Sequence, residues 1–267
     1  LTLRLAGVQL HAFSYNPITF NNRNHRKIAV IDGKVGYLGG MNVGEEYVHG
    51  GRRFSFWRDT HVRCEGDIVL ILQSLFVSGW YTATKEELFS SSYFSRPKKK
   101  VGITPVQIVT SGPDSPWESI QQLYFSLINS VDTYLYIQSP YFVPDPAIQS
   151  ALKTAALRGL DVRLMITGKP DKKIPYWAAF TFFEDLLKAG VKVYHYKKGF
   201  LHAKTMCIDD EIATIGTANM DVRSFSLNYE MNAVLYDKKL AKNLKASFMQ
   251  DLKHSTEFTL RDYYRLS

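Results

Sequence analysis

The chain has 267 residues, of which 45% are hydrophobic and 22% are charged, and this composition excludes a disordered or low-complexity protein. The formal net charge of +8 favours an anionic partner, such as a phospholipid, a nucleic acid or a phosphorylated metabolite. The two cysteines, Cys64 and Cys207, have no metal-site spacing and are too few for a disulfide framework, so a reducing compartment is expected.

In chain order, the predicted elements begin at 6–13, where a glycine ends a helix and an alternating strand follows. The longest uncharged run, 68–84, falls short of the roughly 20 apolar residues that a membrane span needs. Beyond residue 105 strands alternate with helices, which predicts an α/β fold with mixed, mostly parallel sheets flanked by helices. The predicted strands there are 106–109, 134–138, 162–166, 191–196 and 202–208, and the predicted helices are 117–131, 147–158 and 176–189.

Two parts of the chain repeat each other. Residues 6–13 resemble residues 189–196, and each copy is followed by a His-x-Lys motif. An aspartate, a glycine and an asparagine then follow at the same offsets from the motif histidine in both copies. These shared offsets indicate a duplicated unit, and a charge run at 96–100 predicts a boundary between halves at 1–100 and 101–267. The first half is the shorter and opens at a helix end, so we expect a fragment of a longer chain. The repeated residues are His25, Lys27, Asp32, Gly39 and Asn42 in the first half and His202, Lys204, Asp209, Gly216 and Asn219 in the second.

The histidine and lysine of each motif are predicted to share one face of a strand, because side chains alternate along a strand. Each motif aspartate lies at an odd offset from its histidine and opens a turn, so Asp32 and Asp209 are predicted to orient a hairpin or to pair with a basic group. The small residues after each hairpin let backbone N–H groups and an amide approach an anion closely. The predicted phosphate-binding residues are Gly40, Asn42, Thr217 and Asn219.

Two imidazoles, two ammonium groups and a set of neutral donors together suit phosphodiester chemistry. One imidazole attacks phosphorus to give a phosphohistidine, and the other protonates the leaving alkoxide and then deprotonates the incoming alcohol or water. The lysines and asparagines hold the phosphoryl oxygens. Because no group of Asp, Glu and His has metal-binding spacing, the lysines take over the role that Mg²⁺ has in other phosphoryl transferases, and neither a metal nor another cofactor is expected.

Two carboxylates downstream of the motifs are candidates for holding the histidines. Glu230, in Asn228-Tyr229-Glu230, and Asp59, in Trp57-Arg58-Asp59, are each predicted to accept a hydrogen bond from a motif histidine and so to fix its tautomer. The alternative for each carboxylate is a surface salt bridge. The other histidines lack such a context and are expected to be structural or surface groups: His11, His49, His61, His195 and His254.

The pattern His-x-Lys-x4-Asp-x6-Gly-(Gly/Ser/Thr)-x-Asn, present twice, resembles the phospholipase D superfamily. Within that superfamily, the segments 23–27, 57–61, 138–145, 199–204 and 218–225 resemble the bacterial cardiolipin synthases. The resemblance implies a pseudo-twofold α/β sandwich with the active site at the interface of the halves. It also implies that the active-site set includes Asp32 and Asp209 beside the motif histidines and lysines. The symmetric motif does not distinguish the nucleophile, for which we favour His25.

The same resemblance implies transphosphatidylation, in which two phosphatidylglycerol molecules give cardiolipin and glycerol. The expected partners are an anionic phospholipid and a bacterial cell membrane, with the catalytic part on the cytoplasmic side and no nucleic acid. The alternatives are a phospholipase D or nuclease of the same superfamily, in which water replaces the alcohol, and an inactive lipid-binding module. The aromatic segments 54–57 and 174–183 suit an acyl-chain cleft or a membrane interface, or else ordinary packing.

Overall fold

The computed structural model describes residues 2–13, 21–51, 53–94 and 101–266. By its internal contacts the chain divides into a minor unit, residues 1–24, 28–37 and 63–103, and a major unit, residues 25–27, 38–62 and 104–267. Both His-x-Lys segments therefore belong to the major unit. The predicted linker at 96–100 lies outside the described residues, and the predicted boundary at residue 100 stays a prediction.

The described part of the chain alternates short strands with helices. The helices are α1 (Thr2–Leu5), α2 (Glu46–His49), α3 (Ile68–Thr84), α4 (Ser119–Asn129), α5 (Pro146–Leu157), α6 (Lys173–Ala189), α7 (Val222–Ser226), α8 (Lys238–Leu252) and α9 (Leu260–Leu266). The strands are β1 (Arg23–Asn24), β2 (Ile28–Ile31), β3 (Val35–Gly39), β4 (Trp57–Arg58), β5 (His61–Glu65), β6 (Val106–Ser111), β7 (Tyr134–Gln138), β8 (Phe142–Val143), β9 (Asp161–Thr167), β10 (Lys192–Tyr196), β11 (Phe200–Leu201), β12 (Thr205–Ile208), β13 (Ile212–Gly216), β14 (Met220–Asp221), β15 (Asn228–Tyr236) and β16 (Ser255–Phe258).

The minor unit contains helix α3 and the turn between β2 and β3. Asp32 and Gly33 adopt positive φ angles of 52° and 62°, and the amide of Lys34 donates to the carbonyl of Ile31 across 3.0 Å. This left-handed turn joins strands that are hydrogen-bonded neighbours, as predicted for a hairpin. The strand predicted within 6–13 is wrong, since residues 8–12 form no strand and an alternating pattern alone does not provide a neighbouring strand.

The major unit is built on one mixed sheet, in which the strands follow the order β6-β15-β13-β12-β7-β9-β10-β16. Only β7–β9 and β9–β10 pair in parallel, while every other pair along this order is antiparallel. The α/β class with flanking helices is confirmed, but the sheet is mixed rather than mostly parallel. The reason is the hairpin β12–β13, which follows the second motif and imposes antiparallel pairing on that half of the sheet.

Alternate residues of strand β7 pack against helices on opposite faces of this sheet. Leu135 and Ile137 join the apolar core formed with α4, α5 and α6, whereas Tyr136 stacks on Phe248 of α8 with ring centroids 4.9 Å apart. All five residues of β7 are buried, as expected for a central strand with helices packed on both faces. None of the helices in the described ranges combines the length and the apolar character that crossing a bilayer requires.

Candidate active site

The first motif histidine is held by a carboxylate from the other half of the sequence. The Nδ1 atom of His25 lies 2.9 Å from both carboxylate oxygens of Glu230, and its backbone amide donates to the carbonyl of Tyr229 across 2.9 Å. The Glu230 side chain is fully buried, while 28% of the His25 side chain is exposed. The side chains of Asn228 and Thr217 also donate to Glu230. Glu230 is therefore buried within the major unit and not part of a surface salt bridge.

The second motif histidine is held in the same way by a carboxylate from the first half. The Nδ1 atom of His202 lies 2.7 Å from Oδ2 of Asp59, and its backbone amide donates to the carbonyl of Arg58 across 2.7 Å. Only 10% of the His202 side chain and 2% of the Asp59 side chain are exposed. Burial, with the charge of Lys204 adding to it, lowers the pKa of His202 to about 4. Both predicted carboxylates thus contact motif histidines, although their catalytic role stays a prediction.

The contacts cross over between the sequence halves. His25 of the first half pairs with Glu230 of the second, and His202 of the second pairs with Asp59 of the first. In each pair the carboxylate favours a proton on Nδ1, which leaves the lone pair of Nε2 free on the other side of the ring. A neutral imidazole in this tautomer can attack phosphorus or accept a proton.

The motif segments themselves are not strands, contrary to the prediction. Residues 25–27 precede β2 and residues 202–204 precede β12, and in each segment the lysine side chain turns back toward its own histidine. The ammonium of Lys27 donates to the carbonyl of His25 across 2.6 Å, and that of Lys204 donates to the carbonyl of His202. The lysine is therefore positioned by this hydrogen bond and not by the alternation of a strand.

Both motif lysines are buried enough to lose protons easily. Burial lowers the pKa of Lys27 to about 8 and that of Lys204 to about 7, against the opposing attraction of Asp59 and Glu230. The charge of Lys27 also helps to lower the pKa values of His202 and Lys204. This mutual influence places the residues of the two motifs within electrostatic reach of each other. An anion bound among them would favour the protonated form of both lysines.

The carboxylate of Asp209 is occupied away from the motif histidines. It accepts hydrogen bonds from the backbone amides of Asp132, Thr133 and Tyr134 and from the hydroxyl of Thr133. Asp209 and Asp210 have positive φ angles of 53° and 57°, so they form the same left-handed turn as Asp32 and Gly33. This supports the predicted hairpin role of Asp209, while its place in the active-site set stays a prediction. Asp32 occupies the matching turn of the minor unit.

Gly40 and Thr217 lie beside the carboxylates that hold the histidines, and phosphate binding by either residue stays a prediction. The hydroxyl of Thr217 donates to Glu230 and accepts from the amide of Met231 across 2.9 Å, which uses its donor. The amide of Gly40 donates to the carbonyl of Thr60 across 3.1 Å. A Cβ atom at position 40 would overlap Oδ1 of Asp59, so the glycine is needed for the close approach of this carboxylate. The small residues thus allow the close approach of a carboxylate.

The two predicted asparagines differ in their surroundings. Asn219 is 6% exposed, and within the described residues its carbonyl oxygen Oδ1 is buried without a hydrogen-bond partner. A buried acceptor in this state is costly unless a ligand supplies the donor. Asn42 lies on the exposed segment that leads into α2. Binding of phosphate by either residue stays a prediction.

Three supporting residues were missed in the sequence. The guanidinium of Arg58 donates to Asp251 of α8 across 2.8 Å, and the amide of Gln138 donates to the same carboxylate across 2.8 Å. These contacts hold strand β4, which Asp59 directly follows, against the main sheet. No repeated offset marks Asp251 or Gln138, because the first half has no counterpart of either.

A fourth missed residue, Tyr47, contacts both Asp59 and His202.

The prediction that no metal is needed remains a prediction. Across the described residues, His, Cys, Asp and Glu side chains nowhere gather in a group of three that could hold an ion.

The chain is similar in sequence to a family of known proteins. A family model described as "Cardiolipin synthase, PLD-like domain" matches residues 124–252. The chain is 49% identical over 251 residues to a cardiolipin synthase of Staphylococcus aureus, covering 94% of the chain and 51% of that protein. It is 48% identical over 260 residues to a cardiolipin synthase of Geobacillus kaustophilus, covering 95% of the chain and 52% of that protein. The chain therefore spans about half the length of these curated relatives.

The likeness to solved structures concerns the fold. Phosphatidylserine synthase of Haemophilus influenzae superposes with a TM-score of 0.68 at 15% identity, covering 93% of the chain and 65% of that structure. Nuc of Salmonella typhimurium, a phospholipase D family member, superposes with a TM-score of 0.50 at 22% identity, covering 59% of the chain and 99% of that structure. Both likenesses support an α/β fold of the phospholipase D type.

Proposed function

Since the chain belongs to the phospholipase D superfamily, we propose that it is the catalytic part of a phosphatidyltransferase that makes cardiolipin from two phosphatidylglycerol molecules. The observation that carries this proposal is the crossed pairing of His25 with Glu230 and of His202 with Asp59. Two imidazoles with their Nδ1 atoms held in this way, beside two buried lysines, suit a two-step transfer of a phosphatidyl group.

In the proposed first step, Nε2 of one histidine attacks the phosphorus of a phosphatidylglycerol. We assign this nucleophilic role to His25. A bound phosphodiester anion raises the pKa of the second imidazole, His202, so that it enters this step protonated. The bond from phosphorus to the glycerol oxygen breaks, and this oxygen takes a proton from the second imidazole, so that glycerol leaves and a phosphohistidine remains. In the second step, the now neutral second imidazole accepts the proton of a hydroxyl on another phosphatidylglycerol. That oxygen attacks phosphorus, the phosphorus–nitrogen bond breaks, and cardiolipin leaves.

The lysines are proposed to neutralise the phosphodiester. Burial lowers the pKa of Lys27 to about 8 and that of Lys204 to about 7, so Lys204 in particular is partly deprotonated near neutral pH. A bound phosphodiester carries a negative charge, so it raises both pKa values and draws a proton onto Lys204 near neutral pH. Substrate binding and charge balance are thus coupled. Asn42 and Asn219 are proposed to contact the substrate, and the unpaired Oδ1 of Asn219 suits a glycerol hydroxyl as donor.

The proposed partner surface is an anionic bacterial membrane, with the catalytic part on its cytoplasmic side. The start of α6 supports this, because Ile174 is 85% exposed and Trp177 is 54% exposed, directly after the exposed Lys172 and Lys173. Exposed aromatic and aliphatic side chains suit the membrane interface, and each well-placed lysine adds about 1 kcal/mol on anionic lipid. Phe54, in the other aromatic segment, is instead buried against Trp57 and Phe200.

Lipid product analysis tests the proposed reaction. The full-length protein is incubated with phosphatidylglycerol vesicles, and we expect cardiolipin and free glycerol in equal amounts. Phosphatidic acid as the sole lipid product would show a hydrolase, and degradation of DNA in EDTA would show a nuclease. We expect His202→Ala to abolish turnover, while His254→Gln, at an exposed histidine outside the site, serves as the matched control and retains it.

A further inference from the structure

The two histidine-holding carboxylates each receive three hydrogen-bond donors, but from different sources. Glu230 accepts hydrogen bonds from His25, from the side-chain amide of Asn228 and from the hydroxyl of Thr217, which belongs to the second motif. Asp59 accepts hydrogen bonds from His202 and from the hydroxyl of Tyr47, at 3.0 Å, on Oδ2, and from the backbone amide of Thr60, at 2.7 Å, on Oδ1. Both carboxylates are thus held to the same extent.

The repeated motif explains why the third donor differs. Gly40 occupies the position in Gly39-Gly40-Met41-Asn42 that Thr217 occupies in Gly216-Thr217-Ala218-Asn219. A hydroxyl side chain cannot replace Gly40, because even a Cβ atom there would overlap Oδ1 of Asp59. The first half therefore lacks the motif hydroxyl that the second half has. The hydroxyl reaching Asp59 comes instead from Tyr47, on helix α2.

The contacts of Tyr47 determine which way its hydroxyl proton points. Its oxygen lies 2.9 Å from Nδ1 of His202 as well as 3.0 Å from Oδ2 of Asp59, and these two atoms are 2.7 Å apart. An unprotonated Nδ1 so close to a carboxylate oxygen would be repelled, so Nδ1 carries a proton and donates it to Asp59. The hydroxyl then has two acceptors in reach, and Oδ2 of Asp59 at 3.0 Å is nearer, and charged, whereas the carbonyl of Gly40 lies 3.4 Å away. The hydroxyl therefore donates to Asp59, and two donors converge on Oδ2.

We propose that Tyr47 is a positioning residue for His202, acting through Asp59 as the first half's counterpart of Thr217. This inference rests on the proposed function for its kinetic consequences but not for its structural ones. The hydroxyl limits the movement of Asp59 and shares its charge, and thereby keeps His202 in the tautomer that exposes Nε2. The other charged or titratable groups facing Asp59 are Lys27, His61, His202 and Lys204.

The first test removes the hydroxyl alone with Tyr47→Phe, which keeps the ring and its edge-on contact with Trp57. We expect kcat to fall about 10-fold with KM changed less than about 2-fold, as for the loss of one hydrogen bond to a charged group. The acidic limb of the pH profile of kcat is expected to move to higher pH, because Asp59 without this donor holds protons more readily. The matched control is Tyr236→Phe, which removes an exposed hydroxyl bonded to Gln107.

A double-mutant cycle separates action through Asp59 from a general structural effect. In the background of Asp59→Asn, Tyr47→Phe is expected to change kcat less than about 2-fold, because its acceptor has already lost its charge. A full effect of Tyr47→Phe in that background would overturn the proposal. So would a Tyr47→Phe variant with the kcat and pH profile of the wild type.

A measurement without substrate keeps this inference distinct from the proposed function. Nitrogen-15 NMR of the imidazoles, with His202 assigned from a His202→Gln spectrum, reports the tautomer and the pKa of that residue. We expect a protonated Nδ1 in the wild type and a higher pKa of His202 in Tyr47→Phe, because the freed carboxylate favours the imidazolium. An unchanged titration of His202 would overturn the inference even if cardiolipin is made, and a changed one supports it even if cardiolipin is not made.

Discussion

Nδ1 of His25 lies 2.9 Å from the carboxylate of Glu230, a residue 205 positions further along the chain. The Glu230 side chain is fully buried, whereas 28% of the His25 side chain is exposed. The imidazole is therefore held at Nδ1 while part of the ring stays accessible. We expect Glu230→Gln to lower kcat about 100-fold, since the amide keeps the shape but loses the charge that stabilises an imidazolium. Steady-state kinetics on phosphatidylglycerol measure this effect.

The control for Glu230→Gln is Glu211→Gln, because Glu211 forms an exposed ion pair with Lys238 and such pairs contribute little. Equal activity of Glu230→Gln and Glu211→Gln would show that the charge of Glu230 has no part in the reaction. Circular dichroism of both variants establishes that each is folded before their rates are compared.

The buried Lys204 is expected to lower the free energy of unfolding near neutral pH. Its folded pKa is about 7 against an ordinary value of 10.5, so between these pH values the unfolded chain binds a proton that the folded chain lacks. The stability of the wild type should therefore rise with pH across this window. We expect Lys204→Met to have a higher Tm than the wild type near pH 7, with a difference that shrinks toward about pH 10, and no turnover.

Thermal unfolding at several pH values measures the Lys204→Met effect. The exposed Lys253 provides the comparison, since Lys253→Met should leave the pH dependence of the Tm as it is in the wild type. A Tm of Lys204→Met below that of the wild type at pH 7 would mean that the ammonium is net stabilising, against the pKa shift.

The phosphohistidine should be trapped in one histidine variant only. Without the general acid and base, a phosphodiester with a good leaving group still phosphorylates the nucleophile, but the second step stalls. With His25 as the nucleophile, we expect a covalent adduct in His202→Ala and none in His25→Ala, by intact mass after an alkaline quench. The reverse result would exchange the two roles, and an adduct in neither variant would argue against the covalent intermediate.

Asp209 should matter for stability and not for the reaction. Its carboxylate accepts three backbone amides at the start of β7, so Asp209→Asn is expected to cost about 1–2 kcal/mol in the free energy of unfolding through one mismatched donor. Asparagine tolerates the positive φ angle at this position. We expect kcat to stay within about 2-fold of the wild type. Denaturant unfolding and kinetics on the same sample decide between the two roles.

The repeat in the sequence located the two histidines that pair with buried carboxylates, because His25 and His202 stand at matching offsets from a lysine, a glycine and an asparagine. The carboxylates could be found as candidates, but the crossing of Glu230 to His25 and of Asp59 to His202 depends on the tertiary fold. Tyr47 could not be found, because a repeat reveals only what both copies contain.

The contact between the small motif residues and the carboxylates could not be predicted from the sequence, for a physical reason. A glycine or threonine beside an anionic group reads the same in sequence whether the anion is a phosphate or a carboxylate of the protein, and Gly40 and Thr217 contact Asp59 and Glu230. The predicted share of parallel strand pairs was also too high. The motif hairpin contributes apolar strands, such as Thr205–Ile208, that resemble buried parallel strands but pair antiparallel.

The crossed carboxylates have a consequence for how the duplicated halves tolerate mutation. A gene duplication ordinarily leaves a spare copy that is free to accumulate changes. Here Glu230 serves the histidine of one copy and Asp59 serves the histidine of the other, so neither copy retains a complete set of its own. A substitution at Glu230 or Asp59 is therefore expected to disable the histidine of the other repeated segment, so that neither segment is free to change by itself.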